Sequence, residues 1–238
     1  MRVCGFTSVC QEDECWLDQY LVEASRLGMD VAVHFDRCDQ ELKDKVSSHP
    51  FVVATTAQDD RRMEFDERHK QLIFEEARQL NRYDWLMAWD VDETYEKDAV
   101  SRMADLDAAC LDWDCVDVKW VNLWGSPRFI RVDGGFGGGH RVKFYNLRGG
   151  RMWHFNHPIT NGAKLVTEGG KEIKGRTAKH PLVCLHWGMM TPELRRFHKE
   201  RWDRIYSTAL KGDPNPYGFW KWAIESESEA VVVRNPYL

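Results

Sequence analysis

Residues Trp85-Leu86-Met87-Ala88-Trp89 form an uninterrupted apolar run that stops abruptly at Asp90-Val91-Asp92-Glu93-Thr94. A short apolar run bounded by polar residues, here with Asp84 in front, reads as a buried strand. Its carboxyl end then carries two carboxylates one residue apart. Because side chains alternate along an extended chain, Asp90 and Asp92 are expected to project the same way. Two hard oxygen ligands meeting at a sheet edge suit Mg²⁺ or Mn²⁺, with a phosphorylated ligand completing the shell. The plainer alternative is a strand followed by an acidic helix cap, so the rest of the chain has to decide.

Upstream, short apolar runs alternate with helical patterns. Arg2 to Val9 reads as a first strand, and Asp13 to Leu27 as a helix with Trp16, Leu17, Tyr20, Leu21, Ala24 and Leu27 at helical spacing. Gly28 is its stop signal. Val31 to Phe35 is a second strand ending at Asp36, Gln40 to Val46 a short helix, and Phe51 to Ala54 a third strand. A long helix covers Glu64 to Leu80, with Phe65, His69, Leu72, Ile73 and Ala77 along one side. Strand–helix alternation with such short connections predicts parallel strands in an open α/β sheet. Ligands of these sheets bind beyond the carboxyl ends of the strands. That expectation sets Thr7, Ser8, Asp36, Asp39, Asp90 and Asp92 along one rim.

After about residue 110 the texture changes. Cys115 to Val121, Arg128 to Val132 and Arg141 to Leu147 are strand-like without long helices between them. The span from Asp133 to His140 holds five glycines, and no helix pattern follows it, so it reads as a hairpin tip or a lid rather than a phosphate cradle. Pro192 to Leu210 is a basic amphipathic helix, and Tyr217 to Glu225 a last short one. No linker-like segment separates the parts, so the sequence predicts one domain over 1–238, with halves at 1–110 and 111–238.

Composition narrows the function classes. A net charge of −5 advertises neither nucleic acid nor an anionic membrane, and 43% hydrophobic residues with eleven Trp support a packed core. The apolar start, Met1 to Cys10, is interrupted by Gly5, Thr7 and Ser8, so neither a signal peptide nor a membrane span is expected, and a cytoplasmic location is. The seven cysteines contain no Cys-x-x-Cys, which points to structural thiols in apolar surroundings.

Two enzyme superfamilies carry an apolar strand ending in Asp-x-Asp. Asp90-Val91-Asp92-Glu93-Thr94 resembles the Asp-x-Asp-x-Thr motif of haloacid-dehalogenase phosphatases, which would make Asp90 a nucleophile and Asp92 a general acid/base. The later strand ending in paired acids that this family needs is missing. The only Gly-Asp, Gly212-Asp213, follows a helix pattern and runs into Pro214. More of the chain resembles GT-A glycosyltransferases of the family-2 type, over about residues 2 to 210. Their opening strand, acidic turn and Trp-Leu helix look like Thr7-Ser8-Val9-Cys10-Gln11-Glu12-Asp13-Glu14-Cys15-Trp16-Leu17. Their acidic second strand end looks like Asp36-Arg37-Cys38-Asp39, and Trp85-Leu86 followed by Asp90-Val91-Asp92-Glu93 is the nearest local match. Arg141-Val142-Lys143-Phe144-Tyr145, Trp153 and Leu182-Val183-Cys184-Leu185-His186-Trp187-Gly188 continue it more loosely.

That resemblance implies a sugar transferred from a nucleotide-diphosphate donor, a UDP-sugar by preference, in a 1–110 nucleotide half, to an acceptor bound by the 111–238 half. It implies nucleotide-sugar contacts at Thr7, Asp36, Asp39, Lys70 and Asp90, and Mn²⁺ or Mg²⁺ on Asp90, Asp92 and His186. His140, His154, His157 and His180 remain alternatives to His186. The catalytic base stays unassigned: the matching place reads His154-Phe155-Asn156-His157-Pro158, without a carboxylate, leaving Asp133, Glu168 and His157 as weak candidates. A non-catalytic nucleotide-sugar-binding module is the other class the scaffold permits. Arg61, Arg62, Arg68 and Lys70 before the motif, and Arg195, Arg196, Lys199, Arg201 and Arg204 on one helix, offer a polyanion surface, with Trp187, Trp202, Trp220 and Trp222 as stacking platforms. The favoured acceptor is a saccharide or envelope precursor, with a modified DNA base as the less favoured one.

Overall fold

A computed structural model describes residues 1–58, 66–136, 138–155, 163–209 and 224–238. It is a mixed α/β structure. Its contacts divide into two compact units: Met1–Val91, Asp98–Val118 and Arg141–Pro181 form the first, and Asp92–Lys97, Lys119–His140 and Leu182–Leu238 the second.

The first unit opens with β1 (Val3–Cys10), α1 (Glu14–Leu27), β2 (Asp30–Asp36), α2 (Gln40–Ser47), β3 (Val52–Gln58), α3 (Asp66–Gln79) and β4 (Trp85–Ala88). Strands β3, β2, β1 and β4 are parallel neighbours in that order, with Cys10 opposite Asp36 and Phe6 opposite Ala88. This is the open parallel sheet that the alternation predicts, in the element order expected from the GT-A resemblance. Helix α1 stops at Gly28, whose φ of 62° suits a residue without a Cβ. Helix α3 buries Ile73, Phe74 and Ala77 against Phe6, Ala32 and Leu86, and Phe74 meets Phe6 edge-on at 5.5 Å. Leu72, expected on that stripe, is 45% exposed, because the buried stripe runs through Ile73 and Phe74 instead. Gly5 leaves room for Trp89: a Cβ there would stand 2.9 Å from the indole.

Further along, the unit holds α4 (Ala99–Cys110), which the sequence reading leaves unassigned. Ala99, Met103, Leu106 and Cys110 are its buried residues. The next strands are β6 (Cys115–Trp124), which begins in the first unit and ends in the second, β7 (Ser126–Arg131), which belongs to the second, and β8 (Gly139–Asn146), which runs antiparallel to β4. A small antiparallel sheet follows, made of β9 (Met152–Phe155), β10 (Ala163–Val166) and β11 (Glu172–Ile173). Gln71 of α3 reaches it, donating to Trp153 O at 3.1 Å and accepting from Phe155 N at 2.9 Å.

In the second unit, β5 (Glu93–Tyr95) pairs antiparallel with the end of β12 (Thr177–His186), with Glu93 opposite His186. β7 pairs with β6 on one side and with β13 (Val232–Arg234) on the other. Both edges of β7 are therefore taken, and the glycine-rich span after it is not a hairpin tip. Phe136 anchors that span in the core with Trp124 and Met189. Helix α5 (Pro192–Ala209) follows β12. Most of the expected Tyr217–Glu225 helix lies outside the described residues. Six of the seven cysteines are buried and all are free thiols.

Candidate functional site

Strand β4 ends at Ala88, two residues before the first carboxylate, and Val91-Asp92 form a turn. The alternation that would aim Asp90 and Asp92 the same way therefore does not apply. Asp90 belongs to the first unit and Asp92 to the second, and they meet different partners.

Around Asp90 the first unit gathers two ammonium groups. Lys70 Nζ lies 3.6 Å from Oδ1 and Lys143 Nζ 3.6 Å from Oδ2. The lysine side chains are 8% and 0% exposed and that of Asp90 40%, so the cations sit behind a carboxylate that faces solvent. Lys70 is a residue the sequence assigns to the site. Lys143 is not, although alternation along β8 puts it on the same face as buried Tyr145. Next to Lys70, His69 stacks on His34 with ring centroids 4.4 Å apart. Burial and the neighbouring imidazole push His34 down to about 3, so it stays neutral, with its Nδ1 2.8 Å from Thr56 Oγ1.

The other first-unit candidates have local partners. Thr7 lies within β1, and its buried Oγ1 has no hydrogen-bond partner among the described residues. Asp36 ends β2 and takes both Arg37 nitrogens, at 3.0 and 3.1 Å. Asp39 is the N-cap of α2, accepting from Leu42 N at 2.8 Å. Glu168 is exposed on the turn between β10 and β11. His157, Arg61, Arg62, Trp220 and Trp222 lie outside the described residues, as does the Trp202 side chain.

The second unit builds the other group. His186 closes β12, and its Nε2 stands 3.1 Å from Asp92 Oδ2. Nδ1 of the same ring is 2.8 Å from Asn122 Oδ1, and Trp120 lies over the imidazole at 4.6 Å. The Asn122 carboxamide oxygen can only accept, so Nδ1–H donates to it and the ring is held from behind, as outer partners hold ligand histidines. Trp120 in turn donates Nε1–H to buried Glu93 at 2.9 Å. His198, on α5, brings a second Nε2 to 3.7 Å from Asp92 Oδ2. Gly188 lies against all three: a Cβ there would stand 2.5 Å from Asp92 Oδ2, 2.8 Å from His198 Nε2 and 2.9 Å from His186 Nε2. Among the described residues no group of three or more His, Cys, Asp or Glu side chains is placed to hold a metal ion. Of the alternatives to His186, His140 and His154 are exposed, and His180 is lowered by burial and by Arg102. His198 escapes sequence reading. Its signal is that it shares the inward stripe of α5 with Arg195, one turn earlier.

Three of the five basic residues expected on this helix are ion-paired, and the Arg204 side chain lies outside the described residues. Arg195 is 1% exposed. It stacks on Trp124 at 3.9 Å and pairs with Glu227 at 2.5 Å. Arg196 pairs with Glu193 and Lys199 with Asp203. Arg131 covers Trp124 at 4.5 Å and binds both oxygens of Asp133 at 2.8 Å. This guanidinium holds Asp133 below the usual carboxylate range, which makes it a poor proton acceptor.

No described helix is long and apolar enough to cross a membrane. No family model and no curated protein matches the chain. Among solved structures, it is similar to S. aureus TarS 1-349, at 10% identity over 94% of this chain and 69% of that one, with a TM-score of 0.46. A candidate nucleotide-diphospho-sugar transferase from Desulfovibrio desulfuricans G20 is 12% identical over 96% of both chains, with a TM-score of 0.43. A glycosyltransferase involved in glycosylation of the major capsid of PBCV-1 is 8% identical over 61% of this chain and 60% of that one, with a TM-score of 0.35.

Proposed function

We propose that this chain is a metal-dependent glycosyltransferase that takes its sugar from a nucleotide-diphosphate donor. The observation that carries the reading is the pairing of Asp92 with His186, directly after a buried parallel strand and an Asp90 backed by two lysines. The donor set fits a divalent cation: a carboxylate oxygen and an imidazole nitrogen 3.1 Å apart, with the imidazole tautomer held from behind. Two donors bound to one ion at about 2.1 Å and about 90° apart stand about 3.0 Å from each other. Asp92 and His186 would hold Mn²⁺ or Mg²⁺, and the ion would neutralise charge on the departing nucleotide. Asp90 is assigned a different task from that expected of it. With Lys70 and Lys143 behind it, its exposed side accepts hydrogen bonds from donor hydroxyls. The nucleoside is assigned to the carboxyl ends of β1 and β2, near Asp36. The phosphatase alternative still lacks the later strand ending in paired acids that its motif requires.

A UDP-sugar remains the favoured donor on the strength of the sequence resemblance. A saccharide or envelope precursor is the favoured acceptor. The ion pairs of Arg195, Arg196 and Lys199 argue against tight polyanion binding by α5, and so against DNA.

Calorimetric titration of uridine and guanosine diphosphates, with and without Mn²⁺, tests the reading, followed by a nucleotide-sugar panel read by mass spectrometry. Metal-linked nucleotide binding that Asp92→Ala abolishes is the expected result. No metal-linked binding by any common diphosphate, or a trapped aspartyl phosphate at Asp90, would overturn it.

A further inference from the structure

We propose that a cavity between α4 and the start of β12 binds an anionic saccharide, a sugar ring carrying a phosphate or a carboxylate, outside the donor site. The inference goes beyond the reading given above, and its test needs neither nucleotide nor metal.

The cavity lies within the first unit and measures about 490 Å³. Small-molecule sites span about 300–1,000 Å³. Arg102 and Asp105 line it from α4, Trp113 from the turn that follows, and Thr177, Lys179 and His180 from β12. It is separate from the Asp90 site. Asp107 of α4 accepts from the Trp85 indole at 3.1 Å, which sets that part of α4 against the first residue of β4, whereas Asp90 follows the last.

Three features name the ligand. Trp113 is 39% exposed, a large ring left out of the core in the wall of a cavity. The apolar C–H face of a sugar packs on such an indole, while its hydroxyls point to the polar lining. Second, the lining sets two cations, Arg102 and Lys179, against one carboxylate, Asp105. A guanidinium and an ammonium make charge-assisted hydrogen bonds to a phosphate or a carboxylate. Third, the remaining groups suit hydroxyls. Asp105 accepts, the Thr177 hydroxyl does both, and burial with the nearby Arg102 pushes His180 below the ordinary histidine value. Its ring is then neutral, with one nitrogen donating and one accepting. Trp113 is the one Trp, Tyr or Phe among the described lining residues, so a nucleobase would stack on one side only.

The wall is built before any ligand arrives. Trp113 N donates to Cys110 O at 3.0 Å. Arg176, next to Thr177, donates from its guanidinium to Asp112 O and from its backbone N to Asp114 Oδ2, the latter at 2.7 Å. Arg151 holds the other Asp114 oxygen at 2.7 Å. Both neighbours of Trp113 are thus tied to the chain that enters β12, and binding does not have to order the indole.

Glucose-6-phosphate, glucuronate, glucose, inorganic phosphate and adenosine monophosphate are titrated separately into the full chain in the presence of a chelator. Binding is read by calorimetry and by the indole resonance of Trp113, assigned through Trp113→Phe. Glucose-6-phosphate and glucuronate should shift that resonance and bind about tenfold tighter than glucose or phosphate alone, the worth of one charge-assisted hydrogen bond. Lys179→Gln should lose about tenfold for both anionic sugars and leave glucose unchanged. Trp113→Ala should weaken all three sugars. Both side chains are exposed, so the variants should melt like the wild type. No shift of the Trp113 resonance with any sugar overturns the proposal, as does anionic-sugar affinity unchanged in Lys179→Gln. Phosphate binding as tightly as glucose-6-phosphate, or a stronger Trp113 response to adenosine monophosphate, overturns it too. Because no donor or metal enters the titration, these outcomes leave the transferase reading untouched.

Discussion

Replacing Gly188 with alanine adds one methyl group at the point where the second unit is most crowded. The backbone conformation would accept it; the space would not. The new Cβ would stand 2.5–2.9 Å from Asp92 Oδ2, His198 Nε2 and His186 Nε2, where ordinary contact begins at 3.4 Å. None of the surroundings gives easily. The backbone is tied by Trp187 N to Asp92 O at 2.9 Å and the Trp187 indole to Thr94 Oγ1 at 2.8 Å. The His186 ring is covered by Trp120 and bonded to Asn122, so turning it away breaks the 2.8 Å hydrogen bond. Overpacking of this kind costs about 1–3 kcal/mol, and the lost hydrogen bond adds about 1 kcal/mol. At roughly 2–4 °C per kcal/mol for a chain of this length, the melting temperature should fall by about 5–15 °C. Thermal melts without metal measure that term, and Mn²⁺ titration should show binding lost as well. Gly139→Ala is the control, since nothing lies within 4 Å of its Cβ position. A Gly188→Ala protein with wild-type melting and wild-type Mn²⁺ affinity would refute the convergence of these three donors.

Asp39→Ala should cost about 1 kcal/mol in urea unfolding through loss of the α2 cap, and leave nucleoside-diphosphate affinity unchanged; a weakened affinity would return Asp39 to the nucleotide site. The Arg131–Asp133 pair has a pH signature. The folded pKa of Asp133 is depressed, so its contribution is present above the unfolded value of about 3.9 and lost as pH falls through the folded one. Asp133→Asn should therefore lower the urea midpoint at pH 7, and the deficit should shrink well below about pH 4. An equal deficit at both pH values would mean that the carboxylate charge is not what matters there.

Elements with strong periodicity are legible in the amino-acid sequence. α1 and its Gly28 stop and the existence of β1 to β4 follow from apolar spacing, and their parallel direction from strand–helix alternation, although β3 runs on to Gln58, past the expected end at Ala54. The features that sequence reading misplaces have identifiable physical reasons. β4 is one residue shorter than its apolar run and stops two residues before Asp90, the chain turns at Val91-Asp92, and with the turn goes the shared direction of the two aspartates. The first half of β12, Thr177 to Pro181, alternates exposed and buried residues with too few apolar ones to register as a strand. β13 is three exposed residues recruited only by pairing with β7. Lys143 and His198 stay hidden because a buried lysine or histidine looks like a surface residue until the partner across the fold is known. Asp92 and His186 are both readable as candidates, but the bond to Asn122 and the space beside Gly188 exist only once β6, β12 and α5 are assembled.

Gln71 does more than its two hydrogen bonds first suggest. Residues two apart on a strand present the carbonyl of one and the amide of the other to the same side, and a parallel neighbouring strand would bond both through the N–H and C=O of a single residue. The carboxamide of Gln71 does this to Trp153 O and Phe155 N, so a side chain acts as one rung of an absent strand. The outer edge of β9 is thereby capped at that rung, which blunts the template that an open edge offers to other chains. Because the rung belongs to α3, it also ties the rotation of that helix to the small sheet. Lys70, the next residue back, is aimed at Asp90 from a helix that cannot roll without breaking the rung.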